Sequence, residues 1–255
     1  MKVYFIGAGP GATDLITIRG ANILKKTQMV MYAGSLVSKE MLVHCHPKAE
    51  IIDTALLNLD EQEACYVRAE ESNWNVARLH SGDPAIYGAT AEQMRRLDRL
   101  KISYEIIPGV SSFLASAAVI RTELTKPEVS QTIILTRVSG RASAVPKSES
   151  LKSLAKHRAT LCIFLSGTQL ASVVGDLLKS YPPETPVALV QKVTWPQERI
   201  HRSTLGAVRA EVKERDWQLS TMMLVGEVLD DHHMTESKLY SGGYSHRFRK
   251  GKKGV

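Results

Sequence analysis

Short hydrophobic runs alternate with longer amphipathic stretches along this chain, from the first residue to about residue 228. The short runs are rich in β-formers and predict strands over residues 3–6, 29–32, 51–53, 76–80, 104–107, 132–136, 161–165, 187–191 and 222–226. The longer stretches, several of which begin with Asp, Ser or Thr, predict helices over residues 14–26, 60–72, 90–100, 111–119 and 169–181. This alternation predicts an α/β fold.

A proline and mixed polar residues interrupt the alternation at residues 124–130, a composition that is typical of a domain junction. The break predicts two α/β domains of similar size, an N-terminal one over residues 1–124 and a C-terminal one over residues 125–230. A basic tail over residues 231–255 follows them. Two domains of this kind leave a cleft between them, and we expect the active site there.

The net charge of +7 in 255 residues is concentrated near the C-terminus. Six of the 33 basic residues follow Glu236 and no acidic residue does, so the rest of the chain is nearly neutral. We interpret residues 241–255 as a solvated tail and expect no nucleic-acid partner. An arm that binds nucleic acid or another anionic partner is the alternative.

The hydrophobic pattern and the cysteines also indicate in which cell compartment the protein is found. No stretch approaches the ~20 apolar residues that span a bilayer, and the N-terminus lacks the apolar core of a secretory signal. Three scattered cysteines, Cys45, Cys65 and Cys162, show no paired spacing. We therefore expect a cytoplasmic protein without a membrane partner.

Histidines cluster twice, around Cys45 as His44 and His46 and again as the pair His232 and His233. Neither spacing supplies a closed tetrahedral ligand set, and no C-x-x-C accompanies them. We expect no metal bound by the protein itself.

Residues 7–12 (GAGPGA) follow the first predicted strand and match the dinucleotide-binding fingerprint G-x-G-x-x-A. A nicotinamide-dependent oxidoreductase is thus one hypothesis. Against it, Pro10 removes one amide from the loop, and residues 28–39 contain no acid to hold a ribose. The other interpretations are a tight turn that needs glycine and a loop that contacts a ligand without binding phosphate.

Three more glycine-containing loops follow predicted strands, at residues 81–88 (SGDPAIYG), 108–112 (PGVSS) and 166–168 (SGT). In open α/β sheets, ligands bind at the edge where such loops lie. Asp83 places a negative charge beside Gly82, which suits a ligand with a sulfonium or amino group. The alternative is that Asp83 caps the helix that follows.

Five ordered motifs resemble those of the tetrapyrrole methylase family, at residues 3–11, 32–37, 82–84, 108–112 and 194–196. The resemblance extends from residue 1 to about residue 230. It implies a homodimeric, two-domain α/β methyltransferase with S-adenosylmethionine in the cleft between the domains. Within the family, residues 32–37, 135–141 and 192–198 are similar to the branch that methylates carbon 11 of precorrin-4 or cobalt-precorrin-4 in cobalamin biosynthesis, and this likeness implies the same reaction here. Methylation of another precorrin position or of uroporphyrinogen III is the alternative.

The resemblance also implies site residues. Cofactor contacts, mostly through the backbone, would fall on Pro10, Gly82, Asp83, Ile86, Ser111, Ser112, Leu165, Ser166, Ala188, Val193, Thr221 and Met222. The acceptor carries acetate and propionate groups, so basic residues should bind it, and the candidates are Arg137, Arg141, Lys192 and Arg199. Ala33 stands where the uroporphyrinogen-methylating member has an acid, so no catalytic residue is assigned. Any cobalt would arrive with the macrocycle.

Overall fold

A computed structural model describes residues 1–139, 144–165, 169–217, 219–230, 237 and 240–251. The chain divides into two units. The first unit contains Met1–Ser116 and Lys192–Arg199, and the second contains Ala117–Gln191 and Ile200–Val255. The boundary predicted at residues 124 and 125 falls inside the second unit, and the sequence gives no sign that Lys192–Arg199 joins the first. An active site in a cleft between domains stays a prediction.

The first unit contains a five-stranded parallel sheet. Its strands are β1 (Lys2–Gly7), β2 (Met29–Tyr32), β3 (Glu50–Asp53), β4 (Val76–His80) and β5 (Ser103–Ile107). They lie in the order β3-β2-β4-β1-β5. Because all five run in the same direction, their carboxyl ends and the loops that follow meet at one edge.

Four helices follow these strands, α1 (Ile18–Leu24), α2 (Leu59–Glu71), α3 (Thr90–Leu100) and α4 (Ser112–Val119). Alternate strand residues face opposite sides of the sheet. One core cluster therefore contains Ile6, Leu24, Val30, Leu79 and Ile107, and a second contains Phe5, Met29, Met31, Tyr66 and Leu97.

The second unit contains a mixed sheet with strands β6 (Ile133–Arg137), β7 (Thr160–Leu165), β8 (Pro186–Gln191), β9 (Arg199–Thr204) and β10 (Thr221–Val225). Their order is β6-β7-β10-β8-β9. β6 and β7 are parallel, whereas β10 runs antiparallel to both β7 and β8. Strand β9 was not predicted, because Ile200 is its only hydrophobic residue.

Helices α5 (Leu151–Leu154), α6 (Leu170–Leu177) and α7 (Val208–Glu211) belong to the second unit. Its core cluster includes Leu161, Ile163, Val174, Leu189 and Met223. Short 3-10 helices in the two units cover Thr13–Leu15, Lys39–His44, Lys147–Glu149, Ala155–His157, Glu214–Trp217 and Glu227–Leu229. Among the described residues, no helix is both long and apolar enough to cross a membrane.

All nine predicted strands are present, each within one residue of its predicted bounds at either end. Two predicted helices are too long. The helix predicted over residues 14–26 is interrupted because Ile16 and Thr17 are extended, and the Thr17 side chain caps α1 by accepting from the Gly20 amide. The helix predicted over residues 169–181 ends at Leu177.

Candidate active site

The loops that follow β4, β1 and β5 meet at the carboxyl edge of the first sheet. Gly9 and Gly82 exchange two backbone hydrogen bonds of 3.2 and 2.8 Å. A Cβ atom on Gly7 would lie 2.5 Å from the Gly109 Cα, and one on Gly109 would overlap the Gly82 carbonyl. These glycines therefore let three loops pack backbone against backbone.

Asp83 joins two of these loops through its side chain. Its Oδ1 accepts a hydrogen bond from the Ala85 amide at 2.7 Å, and its Oδ2 accepts one from the Gly109 amide at 2.8 Å. Helix α3 begins after Ala89, which is in the left-handed region and has no side-chain cap. The alternative that Asp83 caps this helix is therefore wrong, and its carboxylate instead joins the loops after β4 and β5.

Pro10 lies in the loop after β1, at the carboxyl edge of the first sheet. It contacts a segment of the first unit that is distant along the chain. The Trp195 Nε1 donates a hydrogen bond of 2.8 Å to the Pro10 carbonyl, and the Thr194 Oγ1 accepts one of 2.9 Å from the Ala12 amide. The Trp195 indole lies so close to Gly11 that a Cβ there would overlap it. The sequence predicts both motifs but not that they contact each other.

This segment, residues 192–199, has an unusual backbone. Lys192 and Thr194 have φ angles of 47° and 65°, and Val193 between them is buried. The Glu198 Oε2 accepts a hydrogen bond of 2.7 Å from the Thr194 amide. Left-handed non-glycine residues are strained and persist where surrounding contacts hold them, often at functional sites.

Ser111 and Ser112 are predicted cofactor residues that lie where the loop after β5 enters α4. Ser111 is buried, and its carbonyl accepts from the amides of the first turn of α4. The position that a Cβ of Gly82 would take lies 3.5 Å from the Ser111 Cα. The structure thus brings together six of the predicted cofactor residues, Pro10, Gly82, Asp83, Ile86, Ser111 and Ser112.

In the second unit, predicted cofactor residues lie on adjacent strands. Thr221 and Met222 on β10 are buried, as is Ala188 on β8. Leu165, the last residue of β7, pairs with Thr221. Ser166 lies outside the described residues.

The four candidate substrate residues have different environments. The Arg137 guanidinium donates to the carbonyls of Val138 and Ala144 at 3.3 and 3.4 Å, beside a groove of about 280 Å³ in the second unit. Lys192 is half-buried and Arg199 is exposed, and both belong to the first unit. Arg141 lies outside the described residues.

Asp53 at the end of β3 was not predicted as a site residue. Its Oδ1 accepts hydrogen bonds from the amides of Ala55 and Gly34, both at 2.9 Å, and these bonds hold the pKa of the carboxyl below its usual range. Asp53 ends a predicted strand at the same edge as the glycine loops, and this signal could have identified it.

A buried polar cluster lies where β4 enters its loop. The Gln93 Oε1 accepts hydrogen bonds from the Tyr66 hydroxyl at 2.9 Å and from Arg78 Nε at 3.1 Å. His80 is buried nearby, and burial together with the Arg78 charge lowers its pKa to about 3. His80 is therefore neutral at physiological pH.

The histidines considered as metal ligands make other contacts. His44 Nε2 lies 2.9 Å from the Thr13 carbonyl, and His46 Nδ1 accepts from the Lys48 amide at 3.1 Å. Within the part of the chain that the structure describes, no three His, Cys, Asp or Glu residues form a group that could hold a metal ion. His232 and His233 lie outside that part.

Comparison with known proteins identifies the family to which this chain belongs. The family model "Tetrapyrrole (Corrin/Porphyrin) Methylases" matches residues 2–209. A precorrin-4 C(11)-methyltransferase from Sinorhizobium sp is 48% identical over 249 residues, which cover 98% of each chain. The chain belongs to the tetrapyrrole methylase family, as its motifs predict.

Solved structures agree with the predicted fold. A cobalamin biosynthetic enzyme, cobalt precorrin-4 methyltransferase, is 41% identical with a TM-score of 0.86, and the match covers 90% of this chain and 96% of that one. A uroporphyrin-III C-methyl transferase from Thermus thermophilus, complexed with S-adenyl homocysteine, has a TM-score of 0.75 at 24% identity and covers 90% and 93%. The predicted fold class is confirmed.

Proposed function

We propose that this protein is an S-adenosylmethionine-dependent C-methyltransferase that methylates carbon 11 of precorrin-4 or cobalt-precorrin-4 in cobalamin biosynthesis. The observation that carries this proposal is the nearly full-length similarity to the Sinorhizobium precorrin-4 C(11)-methyltransferase, at 48% identity. Cobalt, where present, is part of the macrocyclic substrate.

We assign the methyl donor to residues that the structure presents at the sheet edges. S-adenosylmethionine supplies a methyl group on a cationic sulfur. The glycine loops of the first unit fit such a ligand because they pack closely around the Asp83 carboxylate, whose negative charge suits a cationic donor. The proposed contacts are Pro10, Gly82, Asp83, Ile86, Ser111, Ser112, Leu165, Ser166, Ala188, Val193, Thr221 and Met222.

The main contribution of the chain is orientation. Methyl transfer to an electron-rich carbon needs little acid–base chemistry, and holding the reacting groups in line supplies about 7–11 kcal/mol. Loops tied by Asp83 and by Trp195 provide a rigid frame for this purpose. Arg137, Arg141, Lys192 and Arg199 are proposed to bind the acetate and propionate carboxylates of the acceptor.

The oxidoreductase alternative is poorly supported by the hydrogen bonds of the N-terminal glycine loop. The Ala8 and Gly9 amides donate to the carbonyls of His80 and Gly82, and the Ala12 amide donates to Thr194. Pro10 has no amide hydrogen. These amides are therefore not available to bind a pyrophosphate. The dinucleotide fingerprint requires backbone amides that are free to do so.

Calorimetric titration separates the two functions. We expect S-adenosylhomocysteine to bind and NADH and NADPH to give no heat of binding. The reverse result would overturn the methyltransferase assignment. Turnover is then measured with S-adenosylmethionine and either precorrin-4 or uroporphyrinogen III, and only the precorrin should accept a methyl group.

We also propose a cytoplasmic homodimer whose basic tail takes no part in catalysis. The family resemblance supports the dimer, and the lack of acids after Glu236 supports a solvated tail. Light scattering should give twice the mass of one chain. Deletion of residues 241–255 should leave transferase activity largely unchanged, and its complete loss would contradict this role for the tail.

A further inference from the structure

Asp53 and Gly34 are matched in an unusual way. Besides its 2.9 Å hydrogen bond from the Gly34 amide, the Asp53 carboxylate occupies the space where any side chain at position 34 would begin. A Cβ on Gly34 would overlap Oδ2 of Asp53. Gly34 does not have a positive φ angle, so its backbone conformation alone does not require glycine. The glycine leaves room for the carboxylate.

The two oxygens of Asp53 have different roles. Oδ1 accepts both backbone hydrogen bonds, from Gly34 and Ala55, and this fixes the orientation of the carboxylate. Oδ2 accepts no hydrogen bond from any of the described residues. At Asp83, in contrast, each carboxylate oxygen accepts a hydrogen bond from a backbone amide. Asp53 therefore presents an oriented and exposed acceptor oxygen.

The position of Asp53 relative to the loops of the first sheet favours a role in the site. β2 separates β3 from β4, so the end of β3 lies two strand spacings, roughly 10 Å, from the end of β4, where the Gly82 loop begins. A tetrapyrrole macrocycle can span such a distance. After the two backbone hydrogen bonds, the Lys39 charge also lowers the pKa of the Asp53 carboxyl. Burial and the Asp53 charge raise the pKa of the neighbouring Tyr32.

We propose that Asp53 is a catalytic residue whose Oδ2 accepts a hydrogen bond from a ring N–H of the macrocycle. This inference rests on the proposed methyltransferase function. As the acceptor carbon bonds to the methyl group, the carbon–sulfur bond breaks and its electron pair goes to sulfur. The positive charge that leaves sulfur passes to a conjugated ring N–H, where Asp53 stabilises it. The proton then leaves through the carboxylate to water.

The Asp53→Asn variant separates this role from a structural one. An asparagine Oδ1 can still accept from the amides of Gly34 and Ala55, so the fold and S-adenosylhomocysteine binding should be unchanged. Removal of the charge should lower kcat about 100-fold, the usual scale for such a group. Wild-type kcat in this variant would overturn the inference, whereas an inactive wild-type enzyme would instead contradict the proposed function.

The Gly34→Ala variant provides a second measurement, because it removes no charged group from the chain. The added Cβ should displace the Asp53 carboxylate and reduce kcat at least 10-fold, with the thermal midpoint close to that of the wild type. Asp60→Asn is the matched control, because Asp60 is an exposed carboxylate that bonds Arg96 on the helical surface. Its kcat should stay within twofold of the wild type. Equal effects of the Asp53 and Asp60 substitutions would overturn the inference.

Discussion

The Gly109 amide donates a 2.8 Å hydrogen bond to Oδ2 of Asp83, and this contact joins the loop after β5 to the loop after β4. The other carboxylate oxygen of Asp83, Oδ1, accepts a hydrogen bond from the Ala85 amide within the loop after β4. One carboxylate thus sets the distance between two loops to which we assign the methyl donor.

Asp83→Ala should weaken S-adenosylhomocysteine binding about 10- to 100-fold. Hydrogen bonds to a charged group contribute about 1.5–3 kcal/mol, and here their loss frees both loops. Calorimetry on the folded variant measures the change. Unchanged affinity would mean that the loops hold their positions without this carboxylate.

Thr194→Val should also weaken cofactor binding, by several-fold, because the Ala12 amide loses its acceptor. The unfolding free energy should fall by about 1 kcal/mol. Thr194→Ser keeps the hydroxyl and should restore both properties. If valine and serine behave alike, the hydrogen bond has no role in holding the N-terminal glycine loop.

Gly109→Ala should lower the unfolding free energy by about 1–3 kcal/mol, since the methyl group would overlap the Gly82 carbonyl and crowd the Gly7 backbone. Gly175→Ala is the matched control. Gly175 lies within α6 with open space around its Cβ position, so alanine should add about 0.5–1 kcal/mol of stability. Denaturant unfolding of both variants measures these changes. A Gly109→Ala protein with the unfolding free energy of the wild type would contradict the close packing of the loops.

His80 should make the fold sensitive to acid. Its pKa is about 3 in the folded protein, against 6.5 in the unfolded chain, because burial and the Arg78 charge disfavour the proton. The unfolded chain therefore binds the proton first as pH falls, and stability decreases below about pH 6.5. At pH 5 the loss should be about 2 kcal/mol.

His80→Gln removes this titration. The decrease in unfolding free energy between pH 7.5 and pH 5 should be smaller in the variant by about the same 2 kcal/mol. Urea unfolding at the two pH values makes the comparison independent of any constant effect of the substitution. Identical pH dependence in both proteins would show that His80 is not buried in its neutral form.

Hydrophobic patterning predicts most of the fold because strands such as Met29–Tyr32 and Val76–His80 are short runs bounded by polar residues and turns. It fails at β9, where a single isoleucine carries the pattern. It also predicts an unbroken helix across Ile16 and Thr17, where a threonine cap starts a new one.

The meeting of the loops in the candidate site was predictable from the sequence, since parallel strands bring Gly7, Gly82 and Gly109 to one edge. The contact between Trp195 and Pro10 was not, because it joins segments that are distant along the chain. Asp53, which we propose as a further residue of this site, was not predicted from the sequence for a similar reason. Its pairing with Gly34 depends on the neighbouring positions of β2 and β3, which only the sheet order reveals.

The central claim is tested most directly by following a labelled methyl group. The protein is incubated with precorrin-4 and S-adenosylmethionine that carries ¹³C in its methyl group, and the position of the label in the product is located by NMR. We predict a single new methyl group attached to carbon 11. Attachment at any other carbon, or no transfer by an enzyme that binds S-adenosylhomocysteine, would contradict the account.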